Sequence, residues 1–278
     1  MKRVKKAIFP IAGLGTRFLP QSKAIPKELL PLGDKPLIHY AVEEAVLSQI
    51  EKILFIQRKG QKGAFEYFKR NKALEEILEE ENKEKELLAL KEIENLANNV
   101  LITAKTQRKP IGIASAIYQA RDFAFKEPCA VCFSDDIIDS KVPCLEQLQE
   151  IFLTCESPVL ALKKVSPDRI SSYGIVKVEK IANRFYKIKG TSEKPKLEDA
   201  PSNLAIVGRM ILTEDVFDFL GKNREMTAKN VSISVALGEM AELGKAIYGY
   251  EIEGNWLECG DITSWYKSFV STISKEKL

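Results

Sequence analysis

Two glycines one residue apart, Gly13 and Gly15, follow an apolar run at 6–11 and precede Arg17, Lys23 and Lys27. Glycine lets backbone N–H groups approach an anion closely, and cations beside it neutralise several phosphate charges at once. Pro20, Pro26 and Pro31 deny this segment a long regular helix and favour a shaped loop. That is the chemistry of a nucleoside triphosphate loop. A bare Gly-x-Gly after a strand also makes an ordinary tight connection. Two other phosphate loops are excluded. A dinucleotide fingerprint needs a third glycine where Phe18 stands, and a Walker-type loop needs a Gly-Lys-Ser/Thr run that the chain lacks.

A second candidate is Ser134-Asp135-Asp136, at the end of a strongly apolar run. Open α/β sheets bind ligands at strand C-terminal ends, and a carboxylate there suits Mg²⁺, which completes its shell with phosphate oxygens and water. Asp also favours ordinary strand-end turns. Cys129 and Cys132 form a C-x-x-C inside the same apolar run. With no second pair or histidine cluster, they read as buried strand residues and not as a zinc site. His39, the only histidine, reads as structural within a helix.

The elements that must position these groups alternate in a βαβ rhythm. Apolar periodicity predicts strands at 6–11, 53–56, 99–104, 130–134 and 158–162, with helices at 37–48, 73–97, 114–125 and 145–154 between them. The Glu- and Lys-rich stretch 70–97 reads as a solvated amphipathic helix or helix pair. Beyond it the pattern predicts an antiparallel pair at 173–179 and 184–189 and a longer strand at 205–212. Helices follow at 214–220, 231–243 and 263–274.

The 278 residues suffice for a large buried core. A net charge of +3 marks no nucleic-acid binder. No apolar run approaches the roughly 20 residues of a membrane span, and Met1-Lys2-Arg3 has no signal-peptide core behind it. Five scattered cysteines suit a reducing, cytoplasmic setting.

The whole opening string, Ala12-Gly13-Leu14-Gly15-Thr16-Arg17 followed by Pro26-Lys27-Glu28-Leu29-Leu30-Pro31, resembles the signature of the sugar nucleotidyltransferases. Glu193-Lys194-Pro195 and the run from Ala200 to Arg209 resemble the uridylyltransferase branch that works on UTP and glucose 1-phosphate. The resemblance implies a Rossmann-like α/β fold, with a mixed, mostly parallel central sheet flanked by helices and a smaller antiparallel sugar-binding part. It implies a single domain over 1–278, with 1–160 mainly binding nucleotide and 161–278 mainly forming the sugar-binding and C-terminal part. The implied reaction joins UTP and glucose 1-phosphate into UDP-glucose with release of pyrophosphate, using Mg²⁺, in a homodimer or homotetramer. By the same resemblance Ala12, Gly13, Gly15, Thr16, Glu28, Gln107 and Gly112 bind the nucleotide, the last two at the uracil edge. Gly174, Glu193 and Lys194 bind the sugar phosphate; Arg17, Lys27 and Lys194 act on the reacting phosphates; Asp135 and Glu258 hold the metal.

The chain departs from this pattern in three places. Gly112-Ile113-Ala114-Ser115-Ala116 stands where relatives carry Gly-Leu-Gly-His-Ala, and Glu258 replaces an aspartate. Asn230-Val231-Ser232-Ile233-Ser234-Val235-Ala236 stands for Glu-Ile-Gln-Leu-Thr-Asp-Ala. These changes motivate an alternative, a regulatory paralogue that binds UDP-sugar and modulates a catalytic partner. Intact Arg17, Lys27, Asp135 and Lys194 argue for the enzyme. A nicotinamide-dependent oxidoreductase fails at Phe18 and at the missing acidic residue about 20 positions on.

Overall fold

The computed structural model describes residues 3–109 and 111–276. Thirteen strands occur among them: β1 (Lys6–Pro10), β2 (Pro31–Leu32), β3 (Lys35–Pro36), β4 (Lys52–Arg58), β5 (Leu101–Gln107), β6 (Cys129–Cys132) and β7 (Asp136–Asp139) in the first part. The second part adds β8 (Val159–Lys164), β9 (Gly174–Ala182), β10 (Phe185–Glu193), β11 (Leu204–Leu212), β12 (Tyr248–Glu251) and β13 (Asn255–Glu258). Nine of them form one sheet in the order β5-β4-β1-β6-β11-β8-β12-β10-β9. The first four run parallel; antiparallel pairing begins where β11 meets β6, and only β8 and β12 are parallel beyond it. β11 therefore carries the second half of the chain into the centre of the sheet.

The central strands are apolar on both faces because both faces are covered. Along β1, Ile8 faces one core while Ala7 and Phe9 face the other, the period-two alternation of a strand. Against the Ile8 face pack the helices Ile113–Gln119, Glu214–Lys222 and Ile233–Glu242. The opposite face receives the helices Leu37–Leu47 and Cys144–Cys155. In Leu37–Leu47 the buried stripe is Ile38, Ala41, Val42 and Ala45, the spacing of one helical face.

The alternation also settles the C-x-x-C. Cys129 lies in one core and Cys132 in the other, so the thiols sit on opposite faces of β6. Burial pushes the Cys132 thiol up to about 12, and all five cysteines are free.

Of the helix or helix pair expected in the charged stretch 70–97, the structure shows the pair, Lys72–Glu80 and Glu84–Asn98. Asn82 between them adopts the left-handed conformation at φ +55°, which no helix continues through. The stretch 114–125 likewise divides at Ala120 into Ile113–Gln119 and Arg121–Ala124. Among the described residues no helix is long and apolar enough to cross a membrane.

Candidate functional site

A cavity of about 560 Å³ opens beyond the C-terminal ends of β1, β5 and β6 and is closed on its far side by β9, β10 and β13. Its position is the ligand crevice expected of an open α/β sheet. After β1, Ala12, Gly13, Leu14, Thr16 and Arg17 run along its wall. Gly15 supplies a left-handed turn at φ +64°, with Ser22 so close that a Cβ there would meet it at 3.1 Å. The proline-punctuated segment that follows makes three short 3-10 turns, Thr16–Phe18, Gln21–Lys23 and Lys27–Leu29. Phe18 anchors them, buried against Leu30, Leu32 and Leu37.

Within the last turn successive side chains diverge. Lys27 lines the cavity and ion-pairs with Asp135, Nζ to Oδ2, at 2.5 Å. Glu28 lies beneath the loop, fully buried and not in the cavity lining. There Gln61, which also donates to the Ile11 carbonyl at 3.0 Å, donates to Glu28 Oε1. Its Oε2 is buried with no partner among the described residues. Burial, opposed in part by Lys27 and Gln61, pushes the Glu28 carboxyl up to about 7. The Glu28 side chain, expected at the nucleotide, lies beneath the loop and outside the cavity lining.

Asp135 is carried past β6 by a rigid frame. Arg209 is fully buried, and its guanidinium grips the Glu44 carboxylate at 3.0–3.2 Å and donates to the Phe133 carbonyl at 2.7 Å. The Cys259 N–H donates to the Asp135 carbonyl at 2.7 Å. Burial works against the Asp135 charge, yet the Lys27 ammonium, aided by Arg17, outweighs it and holds the carboxyl below its usual range. Asp136 differs. Trp256 Nε1 donates to its Oδ1 at 2.7 Å and the Gly208 N–H to its Oδ2 at 3.1 Å. Burial and the neighbouring Asp135 charge push it up to about 7. Asp136 ties β13 and β11 together, and both its oxygens are taken.

Gln107 ends β5 and lines the cavity with its amide nitrogen buried and unpartnered among the described residues. A buried amide donor without a protein partner is a hydrogen bond left open. Gly112 adopts φ +105°, and a Cβ there would meet the Val231 nitrogen at 2.9 Å and the Asn230 Cα at 3.0 Å. Only glycine fits that close approach.

On the opposite wall Gly174 begins β9 and Glu193 ends β10, directly paired. Lys194 follows at φ +48°, a conformation that costs a non-glycine residue of order 1 kcal/mol and that clusters at functional sites. Its N–H is held by the Tyr173 carbonyl at 3.0 Å.

Glu258 ends β13 opposite Asp136 and also lines the cavity. Its Oε2 accepts from Tyr173 Oη at 2.6 Å and from Arg169 Nη2. Among the described residues no group of three or more His, Cys, Asp or Glu forms a ready cation cage. The donors at hand are carboxylate oxygens of Asp135 and Glu258, a set that fits a hard divalent cation drawing its remaining ligands from substrate and water.

All of the expected site residues except Gly15 and Glu28 lie on or against this cavity; Gly15 shapes the loop from behind. Arg169, Tyr173, Trp256 and Ser234 were not anticipated individually. Ser234 lies in the departing segment 230–236 and Tyr173 opens the strand predicted at 173–179, beside Gly174; Arg169 and Trp256 had no such signal.

Comparison with known proteins finds relatives over nearly the whole chain. A model of the nucleotidyl transferase family matches residues 6–275. A UTP–glucose-1-phosphate uridylyltransferase of Staphylococcus haemolyticus is 37% identical over 276 residues, covering 99% of this chain and 94% of the relative. A crystal structure of UDP-glucose pyrophosphorylase with UDP-glucose superposes with a TM-score of 0.88 at 34% identity, covering 98% of this chain and 99% of that one. A UTP-bound UDP-glucose pyrophosphorylase from Acinetobacter baumannii gives 0.87 at 29% identity, covering 96% and 93%. With the match running through both walls of the cavity, the chain belongs to the nucleotidyl transferase family.

Proposed function

We propose that the protein makes UDP-glucose and pyrophosphate from UTP and glucose 1-phosphate. The observation that carries this reading is one continuous cavity. It brings Gln107, with its unpartnered amide nitrogen, together with Arg17 and Lys27 of the glycine loop and with Gly174, Glu193 and Lys194 on the facing wall, which supports a base, a triphosphate and a sugar phosphate lying side by side. The relatives named for this reaction support the choice of substrates.

In the reaction a phosphate oxygen of glucose 1-phosphate bonds to the α-phosphorus of UTP. The bond from that phosphorus to the β-phosphate oxygen breaks, and pyrophosphate leaves with the electron pair. The nucleophile is a phosphate monoester with a second pKa near 6, so it is already largely dianionic at neutral pH. No general base is required, which suits a chain whose single histidine, His39, is buried and bonded to Tyr67 at 3.0 Å. Catalysis is then alignment and charge neutralisation. Arg17 and Lys27 neutralise the charge growing on pyrophosphate. Lys194 draws the incoming phosphate toward the α-phosphorus, and Glu193 accepts hydrogen bonds from sugar hydroxyls. Gln107 pairs with the uracil edge, presenting both a donor and an acceptor.

Asp135, with Glu258 as a nearby second carboxylate, would hold Mg²⁺ at the triphosphate. The ion when bound supplies positive charge to the phosphate oxygens. The test is pyrophosphate release by the purified protein with Mg²⁺. Release requires UTP and glucose 1-phosphate together, and release from UTP alone at the same rate overturns the reading.

A further inference from the structure

We propose that Ser234 is a positioning residue for the sugar substrate, holding the Glu193 carboxylate in the one orientation that presents its other oxygen to the cavity. The inference rests on the proposed function and concerns a residue outside the sugar-binding set named above.

Ser234 Oγ donates to Glu193 Oε2 at 2.7 Å. A hydroxyl has a single proton, so the contact of 2.8 Å between Ser234 Oγ and Ser232 Oγ must run the other way, with Ser232 donating. The result is a relay, Ser232 to Ser234 to Glu193, in which each bond polarises the next. Ser234 is 5% exposed, so its hydroxyl is not exchanging partners with bulk water. Its backbone is fixed as well. Thr191 Oγ1, two residues before Glu193 on β10, donates to the Ser234 carbonyl at 2.8 Å. The first turn of helix Ile233–Glu242 and the end of β10 are therefore bolted together at two points.

Glu193 itself is exposed to the cavity, and Ser234 is its only hydrogen-bond donor among the described residues. A glutamate on an exposed strand end has several rotamers of similar energy, and holding one of them lowers the ordering cost of binding. Gly174 closes the cluster. A Cβ there would lie 3.2 Å from Glu193 Oε2 and 3.4 Å from Ser234 Cβ, so a side chain would displace this pair. The same segment reaches the base side, since the Ala114 N–H donates to the Val231 carbonyl at 3.2 Å and Asn230 packs on Gly112. Among the described residues of this segment, Ser232 and Ser234 alone join the relay to Glu193, so the effect belongs to the sugar and not to UTP.

The experiment compares wild type, Ser234→Ala, Ser234→Thr and Glu193→Gln by steady-state kinetics with each substrate varied in turn. Calorimetric titration with UDP-glucose and with UTP accompanies it. Ser234→Ala raises KM for glucose 1-phosphate about 10-fold, the scale of a lost hydrogen bond to a charged group, and leaves KM for UTP within about twofold. Ser234→Thr retains the hydroxyl and restores the wild-type KM within about threefold. The double variant Ser234→Ala/Glu193→Gln is no worse than Glu193→Gln alone, because the two act through one contact. UDP-glucose affinity falls in Ser234→Ala while UTP affinity holds. Equal KM values for glucose 1-phosphate in wild type and Ser234→Ala overturn the inference and leave the proposed function standing. So does a parallel rise for both substrates, which marks a structural role. A wild type that neither turns over nor binds UDP-glucose overturns the proposed function, and this inference with it.

Discussion

Replacing Glu28 by glutamine should make the protein more stable, by roughly 3 kcal/mol at pH 8 and by less than about 1 kcal/mol at pH 5. The carboxyl is fully buried, with one oxygen hydrogen-bonded to Gln61 and the other unpartnered among the described residues. Burial raises it from an ordinary 4.5 to about 7. The folded state therefore holds this proton more tightly than the unfolded chain. Its stabilising effect is complete below the unfolded value, declines as pH rises from about 4.5, and is gone above about 7. At about 1.36 kcal/mol per pH unit, that window corresponds to roughly 3 kcal/mol. Glutamine is a neutral near-isostere at every pH, so Glu28→Gln escapes the decline. With roughly 2.1 cal/mol/K of unfolding entropy per residue, the gain at pH 8 amounts to about 5 °C in Tm for a chain of this length. Asp136 shifts stability in the same direction over a similar window, but it is common to both proteins and cancels in the difference. The assay is urea denaturation of both proteins from pH 5 to pH 8. Parallel stability curves, or a variant weaker than wild type at pH 8, would refute the reasoning.

Glu44→Ala leaves the Arg209 guanidinium charged, fully buried and unpaired, so it should cost about 3–5 kcal/mol in chemical denaturation; a loss under about 1 kcal/mol would contradict that burial. Asp135→Asn should lower kcat at least ~100-fold, the scale of one main charge contact in the transition state, and near wild-type turnover would remove Asp135 from the mechanism. Lys194→Ala should chiefly weaken use of glucose 1-phosphate, and Lys27→Ala chiefly the UTP half. Calorimetry in which Lys194→Ala loses UTP while Lys27→Ala keeps it would reverse the two roles.

How far the molecule could be read from its residues depended on how local each signal was. β1 and β6 declare themselves because both faces are apolar, and the loop after β1 because glycine, proline and basic residues lie within one short segment. β7, β12 and β13 do not. Each has four residues, and each exists through partners far along the chain, as where β13 pairs with β7 or β12 with β8. The site divides in the same way. Arg17, Lys27 and Asp135 stand out by residue type, but the residues alone leave ordinary turns open, and their expected roles come from the family resemblance of the surrounding strings. Tyr173 and Arg169 matter because they meet Glu258, which is 85 and 89 residues away. Ser234 matters through Glu193, 41 residues earlier. Nor does a string of residues tell which side of a tight turn each faces. Lys27 and Glu28 are neighbours, and one enters the cavity while the other lies under it.

The central claim is tested most directly by following the reaction itself with phosphorus NMR, in the presence of Mg²⁺ and glucose 1-phosphate. UTP, dTTP, CTP, ATP and GTP are each supplied in turn. UTP should yield UDP-glucose and pyrophosphate in equal amounts, and pyrophosphate added back should regenerate UTP. If Gln107 and Gly112, which line the cavity, read the base as proposed, the purine nucleotides react far more slowly. Equal rates with ATP and UTP, or no nucleotide sugar from any of the five, would contradict the central claim.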